Sequence, residues 1–428
     1  MKEINILNLG CPKNIADAES FSYPISKIYK INYSNTLTKC DILIINSCGF
    51  INSACQETID VITKAIELKK KKKIKKIIVY GCLVNRFKDL LIKNYNEIDY
   101  IFKTTELNKL YSLLNITQIN EEKRLIDPHF YYSYLKIADG CNRKCSFCVI
   151  PFIKGKYKSK PITKIINEAK YLKDNNIKEL ILVAQDTTYY GFDIYKKFKL
   201  PELLYKLSKL NFEWIRILYL YPKNISNELL NIIKNTPSIC KYIDLPIQHI
   251  SDKILKLMRR NITENQLKEL LYKIREKIPN VAIRTTIIVG HPYETDKDFN
   301  KLINFIKEFE FDKLGVFKYS HEVGSYAFYN YADNVNEKIK EERYNIIMSI
   351  QKDISSKKLK KFIGTNQQVL IEKKIDNFTY IGRTQFDAPE IDGFTYVKSN
   401  IPLKLGEFTN VSIIQSYEYD LYGIPINK

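Results

Sequence analysis

Nowhere in the 428 residues does an apolar run reach about eighteen, so the sequence offers no helix able to cross a membrane. The opening stretch Met1-Lys2-Glu3-Ile4-Asn5-Ile6-Leu7-Asn8-Leu9-Gly10 lacks the layout of a signal peptide and reads as a first strand, which makes the cytoplasm the default compartment. Without a secretion signal, nine cysteines argue for reduced thiols and metal ligation and against a disulfide framework. Histidine is scarce, at four. His249 and His291 each stand alone in a loop, which favours a structural or substrate-orienting role over proton transfer. Acidic residues are in deficit, 48 against 68 basic ones, for a net charge of +20. Nucleic acid or a ribosome would suit such a chain, but the lysines are spread widely. The densest block, Lys69 to Lys73, reads as the solvated end of a helix starting near Ser53, where cations favour the dipole.

What the chain does contain is a thiol-rich stretch, Cys141-Asn142-Arg143-Lys144-Cys145-Ser146-Phe147-Cys148, directly after the apolar run Tyr134 to Ala138. A strand leading into such a loop gathers its sulfurs at the strand's carboxyl end, where sheet enzymes keep their sites. Three thiolates can hold three irons of a 4Fe-4S cluster, whereas structural zinc needs four ligands. Neither Cys nor His follows to complete a tetrahedron, and the closest His is His129, upstream. A cluster here would keep one iron open. A zinc loop and an electron-transfer cluster are the competing readings.

Three further cysteines follow strand-like runs: Leu9-Gly10-Cys11-Pro12, Asn46-Ser47-Cys48-Gly49 and Tyr80-Gly81-Cys82-Leu83. The runs Ile4 to Leu9, Asp41 to Asn46, Ile77 to Tyr80 and Ile98 to Phe102 alternate with helical stretches, the mark of an open parallel α/β sheet. Parallel strands end on one side, so these thiols should converge on one rim, and glycine beside each suits close approach to a bulky group. Cys40, Cys55 and Cys240 read as small buried hydrophobes.

The CxxxCxxC spacing with Phe147 before the last Cys resembles the radical S-adenosylmethionine superfamily. Leu9-Gly10-Cys11-Pro12-Lys13-Asn14, Asn46-Ser47-Cys48-Gly49-Phe50-Ile51 and Gly81-Cys82-Leu83 resemble the N-terminal motifs of the methylthiotransferases. Pro12-Lys13 and Gly49-Phe50 resemble the RimO branch, which modifies an aspartate of ribosomal protein S-12, more than the tRNA-modifying branch. The resemblance implies two 4Fe-4S clusters, held by Cys141, Cys145 and Cys148 and by Cys11, Cys48 and Cys82. It also implies S-adenosyl-L-methionine as methyl donor and radical source, contacted by Phe147, Gln185, Asp186, Gly290 and Glu294; Arg216, on the third strand-like run, joins them because polar residues toward the carboxyl ends of these strands should line the site. A low-potential electron donor and a sulfur source are implied partners, and no general base is implied. In Val289-Gly290-His291-Pro292-Tyr293-Glu294-Thr295, Tyr293 stands where Gly is usual, and a turn needing positive φ would be strained there.

Domain expectations follow: an N-terminal methylthiotransferase domain over 1–118, a linker over 119–133, a radical S-adenosylmethionine core over 134–357 and a TRAM domain over 358–428. Six strand-like runs, Tyr134 to Ala138, Glu179 to Ala184, Trp214 to Tyr219, Tyr242 to Ile247, Val281 to Val289 and Lys313 to Tyr319, imply a partial parallel barrel of six strand–helix repeats. Short β-rich runs after Lys361 suggest a small antiparallel barrel, and Ile381 to Gly393 resembles a segment typical of the RimO branch. From Asp376 onward, seven acids (Asp376, Asp387, Glu390, Asp392, Glu407, Glu418, Asp420) face four bases (Arg383, Lys398, Lys404, Lys428), which favours a basic protein over RNA as partner. The expected reaction replaces C–H by C–SCH3 on an aspartate of ribosomal protein S-12. The alternatives are a tRNA methylthiotransferase acting on a modified adenosine and a non-catalytic iron–sulfur electron-transfer protein.

Overall fold

The computed structural model describes residues 2–33, 36–120 and 122–426. Met1, Ser34, Asn35, Glu121, Asn427 and Lys428 lie outside the described residues, and with them the start of the first expected domain, one linker position and one of the four bases counted near the C-terminus.

Continuous burial along near-unbroken apolar strands builds the first layer. Strands β1 (Glu3–Asn8), β2 (Lys30–Tyr33), β3 (Cys40–Ser47), β4 (Ile74–Gly81) and β5 (Tyr100–Phe102) form a sheet in the order β2-β1-β3-β4-β5, with every pairing parallel. Ile4, Ile6, Ile42 and Ile44 pack with Phe21 and Ile25 of helix α1 (Pro12–Ile25), while Leu7, Leu43 and Ile45 pack with Ile62 and Ile66 of α2 (Asn52–Lys70). Burial on both faces explains why the strands read as unbroken hydrophobic runs. In this strand order the chain reverses direction across the sheet between β1 and β3, and a crevice opens there at the carboxyl ends. The cationic end of α2 behaves as expected, with Lys69 on Asp99 and Lys70 on Glu97.

The second unit begins at β6 (Tyr132–Lys136), two residues before the expected Tyr134. A short hairpin of β7 (Ala138–Asp139) and β8 (Lys158–Ser159) encloses the thiol loop. Five more strands follow: β9 (Glu179–Val183), β10 (Trp214–Ile217), β11 (Tyr242–Asp244), β12 (Ala282–Val289) and β13 (Lys313–Lys318). They form two three-stranded parallel sheets, β6-β9-β10 and β11-β12-β13, joined by a parallel bridge between Ile215 and Ile239. This is the expected partial barrel. Its outer face (Leu135, Leu180, Leu182, Ile215, Ile217, Ile283) packs on the surrounding helices, while Tyr134, Ile181, Val183, Trp214 and Tyr242 point inward. The linker is not loose, because Arg124 is fully buried against Glu19 and, at 3.1 Å, Glu168.

The helix Glu337–Leu359 carries the chain past the expected boundary at 357 into a closed barrel of β14 (Asn366–Lys374), β15 (Thr379–Arg383), β16 (Thr395–Lys398), β17 (Phe408–Ser416) and β18 (Leu421–Pro425). Four of its pairings are antiparallel and β16–β18 is parallel. This barrel closes the floor of the larger one: Leu370 and Ala388 pack with Tyr134, Trp214 and Tyr242.

The charge count at the C-terminus takes a different meaning once these contacts are in place. Asp387 binds Lys313 (2.6 Å), Glu390 accepts from Tyr132 (2.8 Å) and Asp392 accepts from Tyr242 (2.6 Å). Glu407 and Glu418 pair with Lys404 and Lys352, and Asp376 and Asp420 accept backbone N–H groups. The acidity holds domains and turns together, so these carboxylates are engaged within the chain.

The deepest of these contacts is ionic. Glu179, fully buried, accepts from Arg216 Nε at 2.6 Å and from Arg383 Nη2 at 2.7 Å, and Arg383 also holds Glu372. Burial disfavours the Glu179 carboxylate, but the two guanidinium groups outweigh it and hold its pKa below the ordinary value. Glu179→Ala strands the buried Arg216 and takes one of the two carboxylates from Arg383, and urea unfolding should show a loss of about 3–5 kcal/mol. A loss within about 0.5 kcal/mol, typical of a surface site, would contradict this role.

Candidate active site

The crevice between β1 and β3 is where the first thiol trio collects. Cys11 caps α1, whose first residue is Pro12. Cys48 follows β3 directly, and Cys82 opens the helix α3 (Cys82–Asn94) after β4. One side chain ties the three loops together. Asn14 Oδ1 lies 4.0 Å from Cys11 Sγ and 3.8 Å from Cys82 Sγ, while its Nδ2 donates to Leu9 O at 2.9 Å and Ser47 O at 3.5 Å. Close approach explains two glycines. A Cβ on Gly10, at φ +100°, would sit 2.9 Å from Cys48 Sγ, and one on Gly49 would sit 2.6 Å from Leu83 Cα.

The second trio lies in the loop after β7. Backbone N–H groups of Arg143 and Ile150 donate to Cys141 Sγ at 3.4 Å and Cys148 Sγ at 3.5 Å, and Arg260 Nη1 reaches Cys145 Sγ at 3.7 Å. Phe147 packs with Ile254, Met258, Ile288 and Tyr319 and anchors the loop on its apolar side. Burial pushes the Cys141 thiol up to about 11 and the Cys82 thiol up to about 12, and raises Cys48 and Cys148 as well. Buried thiols of this kind ionise only when a cation joins them. Among the described residues no three His, Cys, Asp or Glu side chains draw close enough to hold a single metal ion.

The two trios meet across one interface. Cys82 packs against Val149 and Ile153, just past Cys148. Asn85 Nδ2 donates to Ile153 O at 2.8 Å, and Arg86 forms a buried ion pair with Glu322 at 2.8 Å, whose Oε1 accepts from Asn52 N at 2.7 Å. The rim of the first sheet is thereby locked onto the mouth of the barrel.

Around that mouth the expected cofactor residues divide. Gln185 Oε1 is buried with no hydrogen-bond partner among the described residues, and so are Gln248 Oε1, Asn224 Nδ2 and Arg143 Nη2. Unpaired buried polar atoms beyond strand carboxyl ends fit a polar ligand. Asp186 accepts from Arg143 Nε at 2.7 Å, fixing a guanidinium that stacks 3.9 Å from the Tyr221 ring centroid. Arg216 is a correction: it lies on the inner face but turns to Glu179 and to Gln385 O (2.9 Å), at the floor closed by the C-terminal barrel. Glu294 is another. It is sealed beneath its own turn, accepting from Gly290 N (2.7 Å) and His291 N (3.2 Å) and pairing with Arg343 (3.0 Å). Burial raises its pKa to about 7 despite that arginine. Gly290 at φ 73° makes the turn, and Tyr293 adopts φ 66°, the strained conformation the sequence foreshadowed. Gln248 lies in the loop after the fourth barrel strand, where polar residues are expected to line the site, whereas sequence reasoning missed Asn224 and Arg260, neither of which carries a local motif. Asn14 was within reach, two residues past Pro12.

A parallel barrel with a CxxxCxxC loop at the carboxyl ends of its strands defines a radical S-adenosylmethionine enzyme, and the Radical SAM superfamily matches residues 135–306. The TRAM domain matches 363–426, and the Uncharacterized protein family UPF0004 matches 3–103. The fold resembles the radical S-adenosylmethionine methyltransferase TsrM of Kitasatospora setae, with TM-score 0.54, 10% identity, and 74% of this chain and 73% of that one covered. The chain is 41% identical to the ribosomal protein uS12 methylthiotransferase RimO of Chloroherpeton thalassium, with 98% of both chains covered. It is 43% identical to that of Clostridioides difficile, with 99% and 98% covered. The chain belongs to this RimO family of radical S-adenosylmethionine methylthiotransferases.

Burial pushes His249 down to about 3 and His291 down to about 4. His249 Nδ1 accepts from Ser251 N at 3.0 Å, so its proton sits on Nε2. Both rings are neutral at physiological pH, which supports an orienting role. The unfolded chain takes up these two protons below about 6.5 and the folded chain does not, so these groups make stability fall as pH drops from about 6.5 toward 4. In histidine-labelled NMR, two of the four imidazoles should stay neutral down to pH 5; four titrations near 6.5 would contradict this assignment.

Proposed function

We propose that the chain inserts a methylthio group at the side chain of an aspartate in ribosomal protein uS12, in the cytoplasm. Two 4Fe-4S clusters would be held by Cys141, Cys145 and Cys148 and by Cys11, Cys48 and Cys82. The observation that carries this reading is the packing of Cys82 on Val149 and Ile153, which brings a thiol of the first set against the chain just past Cys148 of the second. With S-adenosyl-L-methionine bound, such a pair of clusters would supply a carbon-centred radical on one side and the sulfur and methyl groups on the other. The relatives' name supports the uS12 target.

Residues 1–118, 134–357 and 358–428 act in this reading as sulfur-side domain, radical core and floor-closing barrel, joined by 119–133. Gln185, Gln248 and Asn224 bring unpaired polar atoms to the cofactor, Phe147 and Gly290 shape its walls, and Asp186 orients Arg143. The buried Arg86–Glu322 pair keeps the two rims together and water out, replacing a bimolecular encounter between radical and sulfur by a fixed geometry. An external low-potential reductant and a sulfur source complete the balance. No helix among the described residues is long and apolar enough to cross a membrane.

Division of labour is testable under anaerobic conditions with dithionite. Cys145→Ala abolishes 5'-deoxyadenosine formation, whereas Cys48→Ala keeps much of it and stops sulfur insertion, both read by mass spectrometry. Identical behaviour of the two variants would contradict the assignment.

A further inference from the structure

Between the two rims sits a group of charges that does not balance. Lys136 pairs with Asp17 and, at 3.3 Å, with Asp139, and Lys154 lies 3.6 Å from each of the same carboxylates. Two lysines and two aspartates neutralise one another. Lys13 is the third cation of the group and has no ion pair or hydrogen bond among the described residues. Its Nζ stands 4.0 Å from the centroid of the Tyr219 ring, and its charge acts on Cys11 of one trio and Cys148 of the other. Asp139 acts on this ammonium only from beyond ion-pair distance, so its head stays free to donate to the anion of a ligand.

Tyr219 is unusual independently. It lies two residues past the end of β10 with φ 60°, a left-handed conformation that a bulky side chain rarely takes. Asp244 Oδ2 accepts its N–H at 2.8 Å and Thr187 N donates to its carbonyl at 3.1 Å, so the surroundings enforce the strain. Its hydroxyl has no partner among the described residues. Strain held in this way collects where a side chain must be aimed at a ligand.

We propose that Lys13 and Tyr219 form the seat of the substrate carboxylate, the ammonium and the hydroxyl each donating to one side-chain aspartate of the incoming protein. This rests on the reading of aspartate as the target. The carboxylate carbon is bonded directly to the side chain's methylene, so anchoring the former sets the latter between the two trios. Asparagine would bring no charge to Lys13, and glutamate would shift its methylene groups along the chain. Lys13 is thus a specificity-determining residue on the sulfur-side domain, and Tyr219 its counterpart on the barrel.

The test uses the full-length, iron-reconstituted enzyme and two synthetic peptides of the uS12 target loop, one with the target aspartate and one with asparagine in its place. Binding is read by fluorescence anisotropy, iron content by colorimetry, and KM and kcat by mass spectrometry. Wild type should bind the aspartate peptide about tenfold or more tightly, as expected of a charge-assisted contact. Lys13→Gln should erase that preference and raise KM at unchanged iron content, Lys13→Arg should restore part of it, and Tyr219→Phe should reduce it without altering iron. A preference kept in Lys13→Gln overturns this inference alone, as does a loss of iron in parallel with the preference, which would make the lysine a charge balance for the sulfurs. A wild type that binds neither peptide overturns the substrate reading and this inference with it.

Discussion

The packing of one parallel sheet's carboxyl rim onto the mouth of another is the constraint from which the rest of this molecule follows. Each rim alone offers three thiols. The buried Arg86–Glu322 pair, whose carboxylate also accepts from Asn52 N, and the contact of Cys82 with Val149 hold the rims face to face. A buried ion pair of this kind adds little net stability, since desolvation offsets much of the attraction, but breaking it leaves a naked charge. It therefore specifies one relative placement of the two units. The floor of the barrel is fixed by the same device, with Glu179 between Arg216 and Arg383.

Electrostatics in the intervening space fit sulfur ligands awaiting a cation. Burial raises Cys48, Cys82, Cys141 and Cys148, so the metal-free thiols keep their protons, while Lys13 and Lys154 provide positive potential beside them. Burial lowers the pKa of His249 and His291 and so makes both rings poor bases. Carbon-radical chemistry needs exclusion of water and of stray hydrogen donors more than it needs proton transfer, and the residues supply that enclosure.

Much of this was legible in the chain because parallel strands buried on two faces leave unbroken apolar runs, and their shared polarity sends every following loop to one rim. Cys11, Cys48 and Cys82 were found on that rim from topology, with no local spacing to help. What stayed illegible was what pattern does not encode. Lys30–Tyr33, a four-residue edge strand with two polar positions, gave no signal, and Leu421–Pro425 carries Gly423 and Pro425, which read as turn. Arg216 was assigned to the cofactor because strand alternation gives a residue's face and not its depth. The acidic count of the last domain pointed to the protein-modifying branch that the relatives' names carry, but composition does not say which carboxylates are already paired within the chain.

Iron stoichiometry tests the central claim most directly. Anaerobic reconstitution of the wild type should give about eight irons per chain with Mössbauer spectra of 4Fe-4S clusters, and the triple variant Cys11→Ala, Cys48→Ala, Cys82→Ala should hold about four. A wild type that saturates at about four irons, or a triple variant that loses none, would contradict the pairing of two thiol trios across one interface.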